Sequence, residues 1–171
     1  MIESITSWTA ETTRQVTDEV DNVRRASEWS LAHGRPQVVV RFANTLYDIW
    51  GQTAAWPAKI SWLEQALTQR ETLSAPQHSD AVRLIGALFA NADRPEQSRP
   101  YNSEALQIAR ACGYKSGIAR ALNNLAFIAN ELDYDPASAR EMYLEAQAIF
   151  RELGDKHLFA LVTLNLGSVF L

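Results

Sequence analysis

Apolar positions recur at intervals of three and four along almost the whole chain. From Glu11 to Ala32, the residues Val16, Val20, Val23, Ala26, Trp29 and Ala32 share one stripe, which predicts an amphipathic helix. Gly34 is placed to end that helix, and Pro36 to open the next. From Pro36 to about Trp50 the period continues through Val39, Phe42, Ala43, Leu46 and Ile49. Pro57 opens a third helix carrying Ile60, Trp62, Leu63, Ala66 and Leu67. Ser74-Ala75-Pro76 reads as a break, with a fourth helix from about Ser79 to Asn91. A fifth runs from Pro95 to about Cys112, with Pro100 predicting a kink or a later start. The sixth covers about Ser116 to Glu131. Asp135 caps a seventh with Pro136 in its first turn, and Gly154 ends it. The eighth starts near Asp155 and runs to the end of the sequence. Val38-Val39-Val40 is β-rich taken alone, but its flanks keep the helical period. The expectation is about eight helices joined by short loops, the usual arrangement of antiparallel helix neighbours.

The helices repeat. Glu104 to Lys115 parallels Glu145 to Lys156 at an offset of 41, and Ala119 to Leu125 parallels Ala160 to Leu166 at the same offset. Ile85 to Asp93 parallels Leu125 to Asp133 at an offset of 40. Small residues recur where paired helices would cross closely: Gly86, Ala126 and Gly167 in first helices, Ala66, Ala105 and Ala146 in second helices. A large side chain there would push the axes beyond the roughly 8–10 Å of close packing. The units predicted are 36–73, 77–113, 114–154 and an incomplete 155–171, after an N-terminal capping helix region at 1–35.

Composition narrows the chemistry. The 171 residues are 47% apolar and 21% charged, a globular balance rather than a disordered one. The net charge of −4 gives no electrostatic footprint for nucleic acid. No apolar run approaches the ~20 residues of a membrane span, and Met1 to Trp8 is not a signal peptide, so a cytoplasmic location is expected. The single cysteine, Cys112, excludes an internal disulfide. It falls in the last turn of a helix, where the dipole disfavours a thiolate, so it reads as a small half-buried filler. His33, His78 and His157 show no metal-binding spacing. Glu131, Asp133 and Asp135 read as a solvated capping turn. There is no acid–base pair, metal triad or GxxxxGK[ST] loop, so neither enzyme activity nor a cofactor is expected.

Several of these residues sit in a known pattern. Val82-x2-Ile85-Gly86-x2-Phe89 followed by Ser98-x3-Asn102-x2-Ala105 resembles the tetratricopeptide repeat family. So do Leu122-x2-Leu125-Ala126-x2-Ala129 followed by Ala139-x3-Tyr143-x2-Ala146, and Thr163-x2-Leu166-Gly167-x2-Phe170. Asn102 and Ala129 stand where the family carries large aromatics. The resemblance implies an all-α, right-handed superhelical solenoid whose first helices line a concave binding face. Counted from the small residues, that face would carry Asp80 and Arg83, then Arg120, Asn123, Phe127 and Asn130; counted from Tyr47, it would carry Arg41, Asn44 and Asp48. Arginine pairs carboxylates and asparagine binds backbone amides, so these positions suit an extended peptide. A narrower likeness runs through Glu19 to Ala26, Trp29, Trp50-Gly51 and Trp62 to Leu67. These resemble the repeat region of bacterial LuxR-type and related signal-transduction ATPase regulators.

The expected function is a non-enzymatic scaffold that binds a protein or peptide, as the sensor or docking region of a larger bacterial regulator. One alternative is a small-ligand sensor controlling oligomerisation, through the groove or the cluster Trp50, Trp56 and Trp62. Another is self-association. The eighth helix has no following helix to cover it, which predicts either a longer protein or a homodimer contact through Leu161, Leu164, Phe170 and Leu171. The longer protein is the favoured expectation.

Overall fold

The computed structural model describes residues 22–47 and 56–169. These residues are helical with no strand, in the order α1 (22–32), α2 (Pro36–Thr45), α3 (Trp56–Thr68), a 3-10 turn (Arg70–Thr72), α4 (Ala75–Asn91), α5 (Pro95–Ala111), α6 (Lys115–Glu131), α7 (Pro136–Leu153) and α8 (Lys156–Ser168). The expected positions before residue 22, with Asp48, Ile49, Trp50, Phe170 and Leu171, lie outside the described residues. No helix among the described residues is long and apolar enough to cross a membrane.

Local chemistry sets the helix ends. First-turn prolines open α2, α4, α5 and α7. Asp135 and Asp155 accept from the backbone N–H groups of Ser138 and Leu158, capping α7 and α8. Ser74-Ala75-Pro76 is a helix start and not a break. The Ser74 hydroxyl accepts from Gln77 N, and the Gln77 side chain accepts from Ser74 N, so α4 begins at Ala75, a turn earlier than the apolar period alone predicts. Pro100 neither delays nor interrupts α5, which runs unbroken from Pro95.

Each helix from α4 onward packs chiefly on its neighbours in the chain, while α2 also reaches α4, and α4 reaches α6. The core divides into two apolar clusters. One joins Val39, Val40, Leu63, Leu84 and Ile85. The other joins Leu122, Ala126, Tyr143, Phe150 and Val162. The recurring small residues lie where expected in the complete pairs: Ala66, Ala105, Ala126 and Ala146 are fully buried. Gly86 faces α5 so closely that an added Cβ would stand 2.5 Å from Asn102 Nδ2 and 3.0 Å from the Ser98 carbonyl. Gly167 departs from this rule. It is exposed, with nothing within 4 Å of a built Cβ, because no described helix packs against that side of α8. Two exposed ion pairs tie consecutive units together, Arg99 with Asp133 and Arg110 with Glu145, and a third, Lys115 with Glu152, joins the two helices of one unit. Each contributes little, about 0–1 kcal/mol.

The two glycines give opposite outcomes. Gly86→Ala must displace Asn102 or the Ser98 backbone, and should lower stability by about 1–3 kcal/mol despite alanine's better helix propensity. Gly167→Ala meets open space and should raise stability by roughly 0.5–1 kcal/mol. Urea unfolding followed by circular dichroism measures both. A second prediction concerns Tyr143, which is buried among α6 and α7 residues. Burial pushes its phenol up to about 12, above the unfolded value near 10. The folded state therefore holds the proton more tightly, and stability should fall as pH rises from 10 to 12. In Tyr143→Phe that part of the decline should be missing, as seen in midpoints measured across the same window.

Candidate functional site

A groove of about 620 Å³ runs across the first helices of successive pairs, from Asn44 on α2 to Asn165 on α8. It brings together four of the residues predicted for the concave face, Asn44, Arg83, Arg120 and Asn123. Each reaches it for a local reason.

At one end, a polar cluster ties three helices. Asp80 Oδ2 accepts from Asn44 Nδ2 at 2.8 Å and from the Tyr114 hydroxyl at 3.1 Å. Arg83 Nη2 donates to Asn44 Oδ1 at 2.7 Å. Arg83 Nε faces Asp80 Oδ1 at 3.7 Å, an ionic contact in which neither of those two atoms makes a hydrogen bond to the protein. Asp80 and Arg83 are only 7% and 4% exposed, so the pair is embedded in the groove wall. Burial lowers the Arg83 pKa, Asp80 opposes that shift, and the charge on Arg120 adds to it. A guanidinium nonetheless stays protonated at neutral pH. The Tyr114 phenol is raised, first by burial and then by Asp80. Gly117 makes this reach possible, since a Cβ at that position would strike the Tyr114 ring.

At the centre, asparagines hold one another. Asn165 Nδ2 on α8 donates to Asn123 Oδ1 on α6 at 2.9 Å. Asn124 Nδ2 donates to Asn102 Oδ1 at 2.9 Å, and the fully buried Asn102 donates to the Ser98 carbonyl and hydroxyl, both at 3.0 Å. Arg120 lies among these amides, half-buried. It makes no ion pair or hydrogen bond with the described residues.

The other sequence-predicted positions are placed differently. Asp80 lines no open surface; it is consumed by Asn44, Tyr114 and Arg83. Arg41 does not join the groove. Val38, Arg41, Phe42 and Thr45 form one stripe of α2 that lines a separate pocket with Val23 of α1, whereas Asn44 sits on the neighbouring stripe toward α4. Phe127 is exposed one turn beyond Asn123, and Asn130 donates to the adjacent Glu131. Leu161 lines the groove itself, and Leu164 is exposed on the same helix. Asp133 pairs with Arg99, and Asp135 caps α7 as expected. Cys112 is exposed, not half-buried, and its thiol leans on the Ala109 carbonyl. His157 also lines the groove, while His33 stacks on Trp29. Trp62 packs on the N-terminal core cluster.

Asn124 and Asn165 are not among the positions the sequence pattern predicted. The signal was present: they are 41 residues apart, equivalent positions in successive units.

An all-helical chain with a polar groove across its first helices is the class that fold and site define. No family model matches the chain, and no curated protein matches it. Among solved structures it is similar to the crystal structure of BtubC (BKLC) from P. vanneervenii, with a TM-score of 0.70 and 22% identity over 95% of this chain. The match spans 66% of that structure's length. At this identity the likeness shows the helical fold.

The embedded ion pair yields a test of its own. Asp80→Ala leaves the Arg83 guanidinium buried without its countercharge and should cost about 3–5 kcal/mol. The joint replacement Asp80→Leu with Arg83→Met should cost clearly less than the single change. Equal losses in urea unfolding would show that the charges are not what holds this corner.

Proposed function

We propose that the chain is a tetratricopeptide-type scaffold whose hairpins stack into a right-handed superhelix and whose concave groove holds an extended peptide. The observation that carries this reading is the convergence of Asn44, Arg83, Arg120 and Asn123 from α2, α4 and α6 on one groove. These residues come from three helices separated in sequence, and a solvated helix face gives no reason for them to share a cleft. Amides present both a donor and an acceptor, which is what a peptide backbone needs. Arg120 offers a guanidinium with no ion-pair or hydrogen-bond partner among the described residues. Such a surface recognises and does not catalyse. The docking region of a bacterial regulator remains the setting that the resemblance around Trp29 and Trp62 implies.

Joint Arg120→Ala and Asn123→Ala is the direct test. Both side chains are only partly buried, so helicity by circular dichroism should be unchanged. Affinity for peptides selected from a random library on the wild-type protein should fall at least about tenfold, since roughly 1.4 kcal/mol of lost contact suffices. Unchanged affinity would remove the groove as the binding face.

A further inference from the structure

The first helices α4, α6 and α8 present different chemistry at the same register. Six residues before the small crossing residue stand Asp80, Arg120 and Leu161; three before it stand Arg83, Asn123 and Leu164. The structure sharpens this gradient. At the α4 end, Asp80 and Arg83 neutralise each other in the wall. On α6, Arg120 is a guanidinium without an ion-pair or hydrogen-bond partner among the described residues. On α8 the register turns apolar: Leu161 is 41% and Leu164 74% exposed, although both are leucines. Leu158 and Val162 line the same end of the groove.

Resting on the peptide-groove reading above, we infer that the ligand is an extended segment pairing a carboxylate with Arg120 and seating a large apolar side chain on Leu161 and Leu164. The hydrogen bond from Asn165 to Asn123 shows that α6 and α8 lie side by side. Neighbouring helices stand about 8–10 Å apart, and an extended chain advances roughly 3.3 Å per residue. The acidic and apolar side chains are therefore about three residues apart in the ligand. Between them the amides of Asn123 and Asn165 meet the peptide main chain. The nearby carboxylates among the described residues do not oppose this charge pattern freely: Asp80 is held by three partners, and one oxygen of Asp155 caps α8.

The experiment uses the whole chain and fluorescein-labelled nine-residue peptides in a Gly/Ser background, read by fluorescence anisotropy. One peptide carries Asp and Leu three positions apart; the others replace Asp by Lys, replace Leu by Ser, or place the pair six positions apart. A random nonapeptide pool is run beside them. The Asp–Leu peptide should bind best, with Asp to Lys costing at least about tenfold. Arg120→Ala should abolish the preference for Asp but keep that for Leu; Leu164→Ser should do the reverse. Binding of the random pool that depends on Arg120 and Asn123, without any preference for the Asp–Leu peptide, would overturn this inference and leave the groove reading standing. No binding of any peptide would overturn both. A dimer by analytical ultracentrifugation that Leu164→Asp dissociates would also overturn it, because a second copy would then cover the two leucines.

Discussion

The groove depends on one arrangement of charge: Asp80 and Arg83 buried together and held by side chains from other helices. Neither group is stable in the wall alone, since an uncompensated buried ion costs several kcal/mol. Their own ionic contact is long, 3.7 Å, so the hydrogen bonds from Asn44 and Tyr114 to Asp80, and from Arg83 to Asn44, complete the solvation. Those bonds are directional, and they come from α2 and from the start of α6. The requirement to satisfy two buried charges therefore sets where α2 and α6 stand relative to α4. A hydrophobic contact at the same place would tolerate sliding.

The rest of the core follows a different rule. Two apolar clusters occupy the two ends, and between them α4, α5 and α6 meet through small and polar residues. Gly86 lets α5 approach so closely that Asn102, and not an aromatic, fills the crossing. Asn102 is buried, and so it must spend its amide: it donates to Ser98 and accepts from Asn124. Ser79 makes the matching choice, donating to the Ala105 carbonyl at 2.9 Å. Polar residues at a helix crossing fix a register that interchangeable apolar contacts do not.

Helix content and most boundaries were legible because prolines, caps and glycines mark them locally. Pro36, Pro95, Asp135 and Gly154 each act within one turn of their own position. The start of α4 was misread because Ser74 and Pro76 serve equally as breakers and as openers; only the reciprocal bond with Gln77 decides. Four groove residues were legible through the repeat register, which carries position directly into three dimensions. Arg41 was not, because a register counted from Tyr47 ignores how α2 divides its faces between α1 and α4. Asp80 was placed correctly and given the wrong role. Register says where a side chain points, but nothing in it says that Tyr114, 34 residues away, will arrive to bury it.

That distinction decides which charges the described part of the fold leaves unpaired. A repeat offers the same geometric position several times, and each copy is either absorbed by the fold or left open. The position held by Asp80 on α4 is absorbed. Its equivalents on α6 and α8 are Arg120, half-buried without a partner among the described residues, and Leu161, 41% exposed. The difference lies in the neighbours. Asn44 and Tyr114 reach the α4 copy from both sides, whereas no described side chain supplies a carboxylate to the α6 copy. An arginine left in that state retains its full pairing capacity, since the surrounding amides carry no charge to neutralise it. Among the described residues the groove is thus built from spent charges at one end, Asp80 and Arg83, and one unspent charge in the middle, Arg120.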